Sequence, residues 1–137
     1  MKKKHPLLKF IVFILIVTAL YFIYEKYNVI TITAENLTFE FTHNLENAND
    51  KYLDQEIKVT GEVKALYKIM NTRQVMELST SKDELPILCF FRNRTDEYEA
   101  QKLRENDMIS IKGICLGTSA YTYVRGIKID VESFSKE

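Results

Sequence analysis

Ile57-Lys58-Val59-Thr60-Gly61-Glu62-Val63 puts an apolar residue or Gly at every odd position and a polar one at every even position. A side-chain period of two marks a strand with one buried face. Gly61 in its middle predicts a bulge or sharp bend, as at a barrel corner. The spacing returns in Ile109-Ser110-Ile111-Lys112-Gly113-Ile114-Cys115. Two such strands, lying side by side and each bent at a Gly, predict a curved sheet with a shared corner.

The chain between and beyond these strands completes the pattern. A second strand fits Gln74 to Ser79 and a third Pro86 to Arg92, with Asn71-Thr72 as the turn before the second. Ile87-Leu88-Cys89-Phe90-Phe91 is apolar on both faces, so the third strand is expected to be partly covered on both. Thr95 to Leu103 reads as a short helix, with Thr95 as its cap and Asp96 and Glu97 at its positive end. A fourth strand spans Met108 to Leu116, and a fifth about Tyr121 to Ser133, with Ile127, Ile129 and Val131 in one phase. Upstream, Leu37, Phe41, Leu45 and Ala48 recur at spacings of four, four and three, one apolar stripe of a helix. That helix starts at Ala34, capped by Thr33, and ends near Asp50. The order is helix, three strands, helix, two strands. Short strand-rich chains must close or cover their edges. The expected fold is therefore mainly β: a five-stranded OB-fold Greek-key barrel with a leading helix and a second helix between strands three and four.

Before the barrel, residues 7–24 read LLKFIVFILIVTALYFIY, broken only by Lys9. Eighteen helical residues span about 27 Å, near the hydrocarbon thickness of a bilayer. Tyr21, Tyr24 and Tyr27 suit an interfacial aromatic belt. Lys2, Lys3 and Lys4 precede the run, which predicts a cytoplasmic N-terminus and an exported remainder. No small-residue cleavage site follows, and no Cys, so an uncleaved single-pass anchor is favoured over a signal peptide or lipid attachment. The expected division is a basic tail (1–6), a transmembrane helix (7–24), a connector (25–33), the barrel (34–134) and a short tail (135–137). The full chain has 19 Lys plus Arg and 19 Asp plus Glu. Setting aside Lys2, Lys3, Lys4 and Lys9 leaves 15 basic against 19 acidic residues, so the barrel is mildly acidic. General nucleic-acid binders need a basic surface, so this charge argues against one.

With these residues in view, Ala34 to Phe134 resembles the exported OB-fold family called tRNA-anti-like. The matching pieces are a helix running into Ala48-x-x-x-Tyr52, then Ile57-x-Val59-Thr60-Gly61-x-Val63, Cys89-Phe90-Phe91, and Ile109-x-Ile111-Lys112-Gly113-x-Cys115-x-Gly117. The resemblance implies an OB barrel behind an N-terminal membrane or lipid anchor. It implies no catalytic residue and no cofactor.

OB domains often bind on the face of strands two and three. That region offers Tyr67, Arg73, Phe90, Phe91, Arg92 and Arg94. Aromatic rings stacked on bases, with Arg on phosphates, would make a single-strand platform. The plainer reading puts Phe90 or Phe91 in the core and leaves the Arg residues as a solvated rim. Tyr121 and Tyr123 fit a barrel rim equally well. Cys89 and Cys115 are the only cysteines. Export would permit a disulfide between them. In the usual OB strand order they stand two strands apart, near 10 Å, whereas a disulfide needs roughly 4.4–6.8 Å between Cα atoms. Two buried thiols are the favoured alternative. His5 and His43 are isolated and no C-x-x-C occurs, so no metal site is expected. No Ser-His-Asp order, paired-carboxylate motif or phosphate loop appears, so no enzyme is expected. The functional expectation is an extracytoplasmic, membrane-anchored module for a protein, peptide or glycan partner. A single-stranded nucleic-acid binder is the alternative.

Overall fold

The computed structural model describes residues 6–71, 73–120 and 124–137. The chain opens with α1 (Pro6–Tyr27), β1 (Ile30–Thr33), α2 (Ala34–His43) and α3 (Leu45–Tyr52). It continues through β2 (Glu56–Ile69), β3 (Arg73–Leu78), β4 (Ile87–Phe91), α4 (Arg94–Ala100), β5 (Met108–Gly117) and β6 (Ile127–Lys136). The sheet order is β1-β2-β3-β4-β6-β5, and a further β2–β5 pairing closes five strands into a barrel. This is the OB topology, with α4 between its third and fourth strands.

The long strand β2 makes closure possible. Its first half, Glu56 to Glu62, pairs antiparallel with β5; its second half, Val63 to Ile69, pairs with β3. The register slips between Val63 and Ala65, where the strand changes partner. Gly61 lies just before this change. A Cβ there would stand 2.8 Å from Ala34 Cβ, so the missing side chain lets α2 start close against the barrel. Gly113 serves a different approach. Its absent Cβ leaves room for the Asp130 carbonyl oxygen of β6, at a register shift between β5 and β6. The two glycines do not share a corner. Because β2 and β5 are antiparallel, Gly61 faces Ile109 and Gly113 faces Ile57, at opposite ends of the ladder.

The barrel core contains Ile57, Val59, Val63, Met76, Leu78, Cys89, Ile109, Ile111, Cys115, Ile129 and Val131, each at most 1 % exposed. Leu37, Phe41, Ala48 and Tyr52 bring α2 and α3 onto it. The leading helix is broken into two at Asn44, whose side chain accepts from the Asn47 amide and so starts α3 afresh. An Asn at that point offers a cap in place of helix continuation. The break turns Leu45 outward, 47 % exposed, out of the stripe in which its spacing placed it. Thr33 does cap α2, accepting from the Asn36 amide. The second helix begins earlier than expected. Asn93 is its cap, accepting from the Asp96 amide at 2.7 Å, and Thr95 lies inside the first turn.

The segment expected as a connector holds structure of its own. The apolar helix extends to Tyr27, and Ile30 to Thr33 form β1, parallel to Ile57 through Thr60 of β2. Only Asn28 and Val29 separate α1 from the sheet. The last strand starts at Ile127 and runs on to Lys136, so the fifth strand begins later than the sequence suggested. Tyr121 and Tyr123 lie outside the described residues. Within α1, Pro6 to Glu25 is long and apolar enough to cross a membrane, and none of it is buried against the rest of the chain.

Candidate functional site

The outer face of β3 and β4 is the surface on which OB barrels commonly carry ligands. Tyr67, Val75, Phe90 and Asp130 stand opposite one another across β2, β3, β4 and β6. Arg73 joins the same face, its guanidinium carbon 5.2 Å from the centre of the Phe90 ring. Tyr67, Arg73 and Phe90 are therefore brought together. Phe91 is not one of them. Strand alternation turns it into the barrel, where it meets Phe134 edge-on at 5.8 Å between ring centres. Arg94 starts α4 and is exposed.

The face is apolar but closed. Val75, Leu88 and Phe90 form a second buried cluster, with Ile69 and Val124 packed against it. Val124, in the β5–β6 connection, therefore lies against the strands on which a ligand would sit. Phe90 is only 1 % exposed, so no flat ring is presented for stacking on a base. Tyr67 is 37 % exposed at the edge of the cluster. Partial burial, with Glu77 nearby, raises its hydroxyl above the usual tyrosine range.

Charge on this face is matched within the protein. Arg92 Nε donates to Asp130 Oδ2 at 2.7 Å, and its Nη1 donates to Glu132 at 3.2 Å. The hydrogen bond it donates to Asp130 lifts the Arg92 guanidinium further above its already high range. Glu77 pairs with Lys64 at 2.8 Å. Lys128, opposite Leu88 in register, is buried and donates to the Thr118 carbonyl at 2.7 Å. Burial lowers its ammonium below the usual lysine range. A phosphate backbone arriving here would have to displace carboxylates already held by Arg92. Lys128 and Asp130 escaped sequence reasoning: alternation puts them outside the barrel, and nothing local signals that Lys128 reaches the Thr118 carbonyl or that Asp130 is held by Arg92.

The two cysteines are free and buried. Each pairs in register with Ile129, Cys89 from one side and Cys115 from the other. An intervening strand therefore holds the thiols apart, and no disulfide joins them. Burial pushes the Cys89 thiol far up and Cys115 up to about 11. Thiolate is the reactive form. Neither cysteine of the folded chain is expected to react with iodoacetamide at pH 8, and both should react in denaturant. Fast labelling without denaturant would contradict the packing. His43 stacks on Phe39 at 4.1 Å between ring centres and makes a hydrogen bond to its carbonyl. Among the described residues, no group of three or more His, Cys, Asp or Glu side chains gathers where it could hold a metal ion.

Known structures share the barrel. A putative aspartyl-tRNA synthetase from Leishmania major matches over 80 % of this chain with a TM-score of 0.51 and 8 % identity. The Stn1-ten1 complex of S. pombe matches over 60 % of the chain, TM-score 0.47 and 13 % identity. An OBody bound to hen egg-white lysozyme matches over 61 %, TM-score 0.45 and 18 % identity. This chain spans 57 % of the matched Stn1-ten1 chain and 21 % of the Leishmania synthetase, so the likeness concerns a domain and its fold. Among curated proteins no match is found. The family model called tRNA_anti-like matches residues 1–125, apolar helix included, and the chain therefore belongs to the tRNA_anti-like family.

Proposed function

We propose that the chain is a single-pass membrane protein that presents its OB barrel outside the cytoplasm as a non-enzymatic interaction module. One observation carries this reading. The apolar surface of α1 is exposed along its whole length, while the barrel closes and fills its core without it. A 20-residue apolar helix left uncovered in water would be a large aggregation liability; in a bilayer it is at home. The basic residues ahead of it orient the N-terminus to the cytoplasm. The partner is a protein, peptide or glycan, met on the exposed loops and helices. The covered, charge-matched face of β3 and β4 argues against single-stranded nucleic acid.

Flotation and protease protection test the reading. The intact chain is expected to float with liposomes and to resist extraction by carbonate, and a chain lacking residues 1–28 should not float. In intact cells the barrel should be open to protease added outside. Affinity capture from detergent-solubilised membranes with both versions then places recognition on barrel or helix. Extraction by carbonate, or a barrel shielded from external protease, would overturn the proposal. Salt-dependent binding of a single-stranded oligonucleotide at low ionic strength would replace the partner class with nucleic acid.

A further inference from the structure

The tether is very short. The membrane-crossing stretch ends at Glu25 and β1 begins at Ile30. Two residues, Asn28 and Val29, separate Tyr27 at the end of α1 from Ile30, so three Cα–Cα steps reach at most about 10 Å in extended chain. The headgroup zone adds about 5–8 Å to each side of the hydrocarbon core. With about 3 Å of helix from Glu25 to Tyr27 added, Ile30 lies no more than roughly 13 Å from the hydrocarbon edge, which keeps its surroundings next to the lipid headgroups. A groove of about 300 Å³ surrounds it, lined by Ile30, Ile32, Phe39, Lys51 and Tyr52 among others. Phe39 is 54 % exposed on α2 and stacked on His43. Beside it Lys51 reaches across to Glu40 at 3.3 Å and lies over the Tyr52 ring. An exposed aromatic ring with charged neighbours is the composition that settles at a bilayer interface.

Building on the anchor reading above, we propose that this face of α2 and α3 rests on the membrane, with Phe39 inserted among the lipid headgroups and Lys51 and Glu40 at their level. The occupant of the groove is the bilayer that holds α1. The barrel is thereby docked on the membrane and not hung from a free stalk, and its opposite end is turned to the exterior.

The chain contains no Trp, so one introduced Trp reports without background. Full-length F39W and Y98W chains would be reconstituted in phosphatidylcholine vesicles with and without nitroxide-labelled lipid. Tyr98, somewhat more exposed than Phe39, lies on α4 and does not line the groove. F39W emission is expected to fall at least twofold with labelled lipid and shift to shorter wavelength, while Y98W changes little. Vesicle flotation of the same samples separates the two readings. A chain that floats with F39W unquenched, or with both variants quenched alike, overturns the docked face and leaves the anchor standing. A chain that does not float overturns the anchor, and the docking with it.

Discussion

Replacing Phe90 with Ala is expected to lower the unfolding free energy of the chain in mild detergent by about 3–5 kcal/mol. Position alone would suggest a smaller effect, because Phe90 lies outside the barrel. Its surroundings decide otherwise. The ring is 1 % exposed, between Val75 and Leu88 and beneath Arg73, with Val124 of the β5–β6 connection packed on the cluster. Truncation would open a cavity that the strands on either side cannot close, and would remove the ring from under the Arg73 guanidinium. Tyr67→Ala, at the half-open edge of the same face, is expected to cost about 1 kcal/mol or less. Urea titrations followed by circular dichroism would measure both. A Phe90→Ala loss below about 1 kcal/mol would mean that the loop does not shield the ring in solution. The OB face would then be available to a ligand after all.

Gly113→Ala should be nearly as damaging, at about 3 kcal/mol or more. An added Cβ would overlap the Asp130 carbonyl oxygen and stand 3.0 Å from the Asp130 carbonyl carbon and Val131 Cα. These are backbone atoms of the neighbouring strand, with no rotamer to change. The only relief is to part β5 from β6 at the register shift that helps the barrel close. Gly61→Ala makes a useful comparison. Its nearest contact is the Ala34 methyl at 2.8 Å, at the start of a helix that can tilt, so about 1–2 kcal/mol is expected. Hydrogen exchange should locate the Gly113→Ala damage on β5 and β6. Equal losses for the two variants would refute the distinction between backbone and side-chain crowding.

The elements with an unambiguous period were legible from the sequence. Ile57 to Val63 alternates cleanly, and Ile109 to Cys115 nearly so, because one face of each fills the barrel. The apolar run of α1 is long enough to read without any period at all. Features that depend on a distant partner were hidden. Ile30-Thr31-Ile32-Thr33 alternates too, but four residues are too few to separate a strand from a linker until Ile57 to Thr60 lie beside them. The break at Asn44 replaced one helix by two because a capping side chain outweighed the continuity of the stripe. At the candidate site, the double apolar character of Ile87 to Phe91 foretold cover on both sides. Which aromatic faced which way did not follow, since Phe90 and Phe91 are adjacent and either register suits the composition. That Arg92 would be held by Asp130 and Glu132 required the parallel pairing of β4 with β6.

The parallel contact of β1 with β2 has a mechanical side. With α1 held in a bilayer as proposed above, tension on the barrel along that strand would reach it through β1. Such a load strains the rungs between Ile30–Ile57 and Thr33–Thr60 together, as shear, whereas a sideways pull would break them one after another. The strand would therefore spread a load between α1 and the closed sheet over its four rungs to β2.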